Sequence, residues 1–342
     1  MADPLFREDL DHVLAHTRDL WEDLRGARIF VTGGTGFFGC WLLETLVYAN
    51  EKLGLNARAT VLTRDPSAFA KKASHLARAA GIEFLEGRVS DFSFPQGEFS
   101  HVIHAAVDYT DPIGLFASIV DGTRRTLEFA RASGAGRYLM TSSGAVYGAQ
   151  PAEISHLPET YSGAPDQLVP GSAYGEGKRA AEFFCAAYHQ AHGIQTTIAR
   201  GFAFLGPYLQ LDGGAAVGNF IGNVLRHEPV TIQGDGTPYR SYLYAADLAI
   251  WLWTILCRGQ ACRPYNIGSD SALTIKELAE LVVSVLDPKT EVRVMREPVP
   301  GKSAQRYVPC VDRARSELAL ESWIDLKDGV RRTAAWWTQR AK

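Results

Sequence analysis

Residues 28–39 read Arg-Ile-Phe-Val-Thr-Gly-Gly-Thr-Gly-Phe-Phe-Gly, an apolar strand that runs directly into glycines, and residues 40–47 continue in a helical apolar pattern. This stretch constrains the fold more than any other. Gly33, Gly36 and Gly39 let the chain turn tightly, bring backbone close to a pyrophosphate and pack a helix against a strand, while the helix start offers free N–H groups to phosphates. A glycine triplet alone is a weak signal. Between a strand and a helix at the start of a βαβ unit, it has the context that dinucleotide binding requires.

The pattern that follows sustains this reading. Strands are expected at 58–63, 82–86, 101–105, 137–142 and 195–200, with helices around 113–133 and from Tyr174 to about 192. Such alternation gives an α/β fold, a doubly wound parallel (Rossmann) sheet. After Arg200 the glycines and prolines thicken and the alternation stops, so a smaller C-terminal substrate lobe is expected. The expected division is an N-terminal helical extension over 1–26, a dinucleotide-binding domain over 27–200 plus about 231–262, and a substrate-binding lobe over 201–230 plus about 263–342. In the extension, Leu5, Leu10, Val13, Leu14, Leu20, Trp21 and Leu24 stand at roughly helical spacing without convergent polar groups, which marks it as packing support.

Composition narrows the partners. With 46% hydrophobic and 21% charged residues the chain is an ordinary globular one, and a net charge of −3 gives no general attraction to nucleic acid or an anionic membrane. The most apolar stretch, 248–257, is too short to span a bilayer, and the N-terminus lacks the basic flank and apolar run of a signal peptide, so cytoplasmic residence is expected. Five cysteines, odd in number and without ligand spacing, suit reduced structural thiols. His101 and His104 fall in one apolar strand and read as core residues; no metal is expected. Tyr174 and Lys178 are different in kind. Four residues apart on a helix, they stack a phenol beside an ammonium, and a neighbouring cation favours the ionised phenol. Such a pair exchanges protons near neutral pH, as carbonyl chemistry requires.

On these residues the chain resembles an extended short-chain dehydrogenase/reductase of the nucleotide-sugar epimerase/dehydratase type, over about residues 27–335. The matching pieces are, in order, residues 32–39 with Thr35, Phe37 and Phe38 among the glycines; Val102-Ile103-His104-Ala105-Ala106; Thr141-Ser142-Ser143-Gly144-Ala145-Val146-Tyr147-Gly148; and Ser172-Ala173-Tyr174-Gly175-Glu176-Gly177-Lys178. Gly206-Pro207, Arg240 with Asp247, and Arg306 with Asp312 complete the series. The resemblance implies that Ser143 hydrogen-bonds a substrate oxygen, Tyr174 moves the proton, and Lys178 depresses the tyrosine pKa and holds the nicotinamide ribose. It implies cofactor contacts at Gly33, Thr35, Gly36, Phe37, Phe38, Gly39, Ala105 and Ala106, with Arg64, Arg88 and Val89 toward the adenosine. It further implies a substrate site with Asn219 at the nucleotide end and Arg240 and Arg306 on the diphosphate, and a homodimer through the helices at 113–133 and 175–192.

Departures from the family pattern set the expected reaction. Dehydrating members carry Asp-Glu just before Val-Tyr-Gly and decarboxylating members keep the Glu, whereas this chain has Gly144 and Ala145. Dehydration at C4 and C6 and decarboxylation are therefore disfavoured. What remains is hydride transfer at the sugar C4, an NDP-4-keto-sugar reductase, with a 4-epimerase retaining NAD as the alternative and a non-catalytic dinucleotide-binding regulator as the reading from a different class. At the end of the second strand, Thr63-Arg64 replaces the acidic partner of the ribose 2′-hydroxyl, which favours NADP over NAD; the competing arrangement has Asp65 on the ribose and Arg64 on the adenine. The family's proton-relay Asn is Ile119 here, with Asp121 nearby, and its Asn before Gly-Pro is Ala203. Substrate identity is expected to rest on the lobe and on loop 107–112.

Overall fold

The computed structural model describes residues 4–108, 111–301 and 303–340; Tyr109 and Thr110, in the loop expected near substrate, lie outside the described residues. Seven strands form one parallel sheet: β1 (Arg28–Thr32), β2 (Arg58–Thr63), β3 (Ile82–Glu86), β4 (His101–His104), β5 (Arg137–Ser143), β6 (Gln195–Gly201) and β7 (Pro264–Ile267). Their order is β7-β6-β5-β4-β1-β2-β3. The winding reverses between β1 and β4, and in such sheets the crevice beyond the carboxyl ends at that point is where ligands bind. Helix α1 (Pro4–Thr17) precedes the sheet, and α2 (Phe37–Leu53), α3 (Pro66–Lys72), α4 (Pro112–Ala132), α5 (Ala173–His192), α6 (Ala216–Leu225), α7 (Ala245–Arg258), α8 (Ile275–Leu286) and α9 (Leu326–Arg340) follow.

Both faces of the sheet are covered, which is why β4 and β5 are buried almost throughout. On one face α2 and α7 pack with α1 laid over them; on the other, α4 and α5 close a second core around Phe30, Phe129 and Tyr138. The extension behaves as packing support. Leu10, Val13, Leu20, Trp21 and Leu24 are buried, and the Trp21 ring lies 5.0 Å from Trp253 of α7. Its helical run is broken, with α-helix to Thr17 and a tighter 3₁₀ segment over Arg18–Leu24.

Two boundaries differ from the sequence expectation. Residues from 231 do not return to the large sheet: Val230–Ile232 pairs with Val292–Val294, and Tyr239–Arg240 lies between Leu273–Thr274 and Arg306–Tyr307. Conversely, Pro264–Ile267, expected in the lobe, is strand β7. The buried helix α7, covered from Ala245 to Cys257, carries the chain back beneath the large sheet, so the strand that follows joins it. Helix α8 has a capping box that fixes its start: Thr274 Oγ1 accepts from the Glu277 N–H at 3.1 Å while the Glu277 carboxylate accepts from the Thr274 N–H at 2.7 Å.

His101 and His104 are buried in β4. Thr123 Oγ1 donates to the Ile119 carbonyl at 2.7 Å, so it accepts from His104 Nε2 at 3.1 Å, leaving Nδ1 to accept from Thr32 Oγ1 at 2.8 Å. Burial pushes the His104 pKa down to about 3, and the neutral ring ties β1, β4 and α4 together.

The glycine turn depends on close backbone approach. Gly33 has φ +72°, and a Cβ there would stand 2.5 Å from the Ala105 carbonyl; a Cβ on Gly39 would stand 2.2 Å from Gly34 Cα and 2.3 Å from Gly33 O. No side-chain adjustment relieves a clash with backbone. Gly39→Ala is expected to destabilise the protein by about 3 kcal/mol, as overpacking of a tight site does, measured by denaturant unfolding; a change within about 0.5 kcal/mol, the range of an ordinary surface substitution, would contradict this account.

Candidate active site

Beyond the carboxyl ends of β1, β2, β4 and β5 lies a cavity of about 790 Å³. Of the residues expected at the site, Gly33, Thr35, Gly36, Phe37, Phe38, Arg64, Val89, Ala105, Ala106, Ser143, Tyr174 and Lys178 line it. Helix α2 begins there without a side-chain cap, so its first-turn N–H groups are available at Phe37 and Phe38. Gly36 N–H closes the turn onto Gly33 O at 3.0 Å. A glycine cradle, an uncapped helix start and the cations of Arg64, Lys72 and Lys178 in the lining fit a dinucleotide with its pyrophosphate at α2. Gly39 serves from beneath, where α2 crosses the turn.

At the end expected to take the adenosine, Arg64 Nη1 pairs with Asp108 Oδ1 at 2.8 Å, and Arg88 Nη2 approaches Asp108 Oδ2 at 3.5 Å. The Asp65 carboxylate is engaged as the N-cap of α3, accepting from the Ala68 N–H at 2.8 Å. Lys72, in the last turn of α3, donates from Nζ to Thr35 O at 2.8 Å and lines the cavity. Nothing in the sequence distinguishes Lys72 from any lysine closing a short helix; folding of α3 against the glycine turn brings it there.

At the other end, β5 delivers Ser143 and α5 delivers Tyr174 and Lys178. Ser143 is 7% exposed, and its Oγ accepts from the Ala145 N–H at 3.1 Å. Lys178 is buried, its Nζ donating to Thr141 O at 2.7 Å and lying 5.8 Å from the Tyr174 ring centroid. Burial lowers its pKa to about 8, with Glu182 opposing. The Glu182 carboxylate is itself occupied behind the site: it accepts from Ser142 Oγ at 2.5 Å and pairs with Arg200 at 2.6 Å. Among the described residues the cavity's own carboxylates, Asp65 and Asp108, both stand at the end expected to take the adenosine. Ile119, where the family pattern has Asn, packs toward Gly177 of α5, and Asp121 is exposed beside Arg124.

The remaining expected residues lie outside this cavity. Asn219, in the second half-turn of α6, has a buried Oδ1 without a hydrogen-bond partner among the described residues. Arg240 and Arg306 are half-buried and form no ion pair among the described residues. The parallel register sets Arg306 opposite Tyr239 and Tyr307 opposite Arg240. The Arg306 guanidinium accordingly stacks 4.0 Å over the Tyr239 ring, while that of Arg240 turns toward Tyr307, 5.8 Å from its centroid. Tyr307 itself, which the sequence pattern did not single out, reaches Ser143 with its hydroxyl at 3.4 Å.

Comparison with known proteins agrees with this architecture. The chain is 33% identical to UDP-glucuronic acid decarboxylase 6 of Arabidopsis thaliana over 309 residues, 89% of this chain and 86% of that one. UDP-glucuronic acid decarboxylase 1 of Danio rerio is 27% identical, covering 91% of this chain and 73% of its own. The fold superposes on UDP-glucose 4-epimerase of Thermotoga maritima with a TM-score of 0.78 at 21% identity, over 92% of this chain and all (100%) of that one. A dTDP-glucose 4,6-dehydratase from Streptomyces venezuelae gives 0.76 at 23% identity, over 91% and 97%. Residues 29–268 match the model of the NAD dependent epimerase/dehydratase family, and the chain belongs to that family.

Proposed function

We infer that the protein is a nucleotide-sugar oxidoreductase that passes hydride between a nicotinamide cofactor and the sugar C4, in the direction of reducing an NDP-4-keto-sugar. The observation that carries this reading is the wall beside Ser143. A Cβ on Gly144 would come within 2.8 Å of Phe202 Cζ and of the Tyr307 hydroxyl, and the cavity's carboxylates stand at its adenosine end. A hydroxyl and a phenol suffice to hold and protonate one oxygen, whereas elimination needs a further acid and base.

When bound, the dihydronicotinamide supplies the hydride. Ser143 Oγ donates to the C4 oxygen and orients the carbonyl; the Tyr174 phenol gives its proton to the same oxygen as the alkoxide forms. Lys178 keeps a positive charge near the phenol and is steadied by Thr141 O. Arg240 and Arg306, with no carboxylate of their own among the described residues, supply charge for a diphosphate, and Asn219 Oδ1 awaits a donor from the nucleotide. Arg64 and Lys72 in the cavity lining support the 2′-phosphate of NADP over NAD, with one Asp65 oxygen engaged in capping α3. A second reading, decarboxylation of a nucleotide-linked uronic acid, is favoured by the names of the relatives at 33% identity and uses the same hydride site. We also infer a homodimer through α4 and α5, where Ile113 and Phe183 are 83% and 69% exposed.

Three outcomes are expected. Supplied with a panel of NDP-4-keto-sugars, the protein oxidises NADPH stoichiometrically with at least one, and NADH more slowly; CO₂ release from UDP-glucuronic acid without net cofactor turnover would establish the second reading, and interconversion of two sugars on retained NAD would establish epimerisation. Tyr174→Phe lowers kcat by about 10²- to 10⁴-fold with unchanged circular dichroism, and full activity in that variant would overturn the mechanism. Sedimentation gives twice the 37.4 kDa chain mass, and a monomer at micromolar concentration would refute the dimer.

A further inference from the structure

Tyr307 reaches the site from an unexpected direction. It comes from the two-residue strand Arg306–Tyr307 at the edge of the small sheet, far from the glycine turn and from α5 in sequence. Its ring packs 4.6 Å from that of Phe202, which follows β6 directly, and its hydroxyl lies 3.3 Å from Gly201 O and 3.4 Å from Ser143 Oγ. The phenol thus spans the ends of β5 and β6.

The hydrogen-bond directions give this contact a consequence. Ser143 Oγ already accepts from the Ala145 N–H at 3.1 Å, and its own proton is free to turn. Tyr307 carries one proton between two acceptors, Gly201 O at 3.3 Å and Ser143 Oγ at 3.4 Å; turned onto Ser143 it leaves the serine proton for the substrate oxygen. Burial pushes the phenol pKa up, so this hydroxyl stays protonated at neutral pH. The arrangement is closely fitted rather than incidental: the volume that a side chain at position 144 would need is the volume the Tyr307 hydroxyl fills, at 2.8 Å from the Cβ position. Gly144 and Tyr307 are two halves of one solution.

We propose that Tyr307 is a positioning residue of the active site, holding the Ser143 hydroxyl in the rotamer from which it meets the substrate oxygen. This rests on the reading of Ser143 as the substrate-contacting hydroxyl, and the experiment separates the two. In the full-length protein, with the keto-sugar and cofactor that the wild type turns over, Tyr307→Phe, Ser143→Ala and the double variant are compared. Tyr307→Phe is expected to lower kcat about tenfold, the worth of one hydrogen bond, with KM within about twofold, and to have less than a twofold effect in the Ser143→Ala background, as two groups acting as a unit require. Equal losses in both backgrounds, or no loss in either, would overturn the proposal while leaving hydride transfer standing. If Ser143→Ala keeps full activity, the role of Ser143 fails, and Tyr307 with it. A merely structural role for the phenol lowers both backgrounds alike, and an unfolding midpoint within about 1 °C of wild type excludes loss of fold as the cause.

Discussion

The structure depends on one close approach, that of the Gly33 backbone to Ala105. With no side chain at Gly33, β1 and β4 run on past their last paired residues, Thr32 and His104, and their exit loops touch where a Cβ would sit 2.5 Å from a carbonyl. That contact brings the two loops at the reversal of the sheet to one cofactor-sized crevice. Helix α2 can then lean over the turn because Gly39 also has no side chain, and its uncapped start is left at the crevice floor. The strut through Thr32, His104 and Thr123 holds the same junction from beneath and passes its position to α4.

The reacting end is built on a second constraint, the burial of an ammonium. Lys178 is 2% exposed, and withdrawing a charge from water costs several kcal/mol unless partners replace the water. Thr141 O accepts a hydrogen bond from the ammonium at 2.7 Å, which fixes α5 against β5 one turn from Tyr174. Behind β5, Glu182 receives Ser142 Oγ and Arg200, Arg200 reaches Tyr147 Oη at 2.9 Å, and Tyr147 donates to Asn266 of β7 at 2.7 Å. Every polar group in that chain has a partner, so the three strands nearest the chemistry are held by directional bonds rather than by packing alone. Ser143 owes its position to this network, although it takes no part in it.

The large sheet was legible because period and punctuation agree there. The predicted second, third and fifth strands coincide with β2, β3 and β5 to within a residue, each a short apolar run between glycine or polar breaks. The glycine turn and the Tyr174–Lys178 spacing are local signals, and Gly33, Gly36, Tyr174 and Lys178 line one cavity, with Gly39 beneath it. What escaped depends on pairing between distant two- and three-residue strands, which have no period to read. The register of Arg306–Tyr307 against Tyr239–Arg240 decides that Tyr307 shares a face with Arg240, and no local pattern encodes it. Lys72 escaped for the same reason, since its role follows from the fold of α3 onto Thr35. The lobe boundaries slipped where a buried helix, α7, returned the chain to the first domain.

The extension completes this logic. Asp9 of α1 is 1% exposed and accepts from Tyr244 Oη at 2.6 Å and from Arg332 of α9 at 2.7 Å, while His12 bonds Asp247 of α7 at 2.9 Å. Burial raises the Asp9 pKa to about 6 against the pull of those partners, so the native fold binds a proton at Asp9 that the unfolded chain, titrating near 3.8, releases. With a raised carboxyl the sign is the reverse of an ordinary salt bridge: between pH 3.8 and about 6 the Asp9 contribution weakens as pH rises, and above about 6 the full desolvation cost is carried. Tyr244 and Arg332, which also pairs with Asp328 at 2.8 Å, offset part of that cost. The helix therefore joins the start of α7 to the last helix of the chain. It thereby anchors the start of α7, the buried helix that returns the chain to β7.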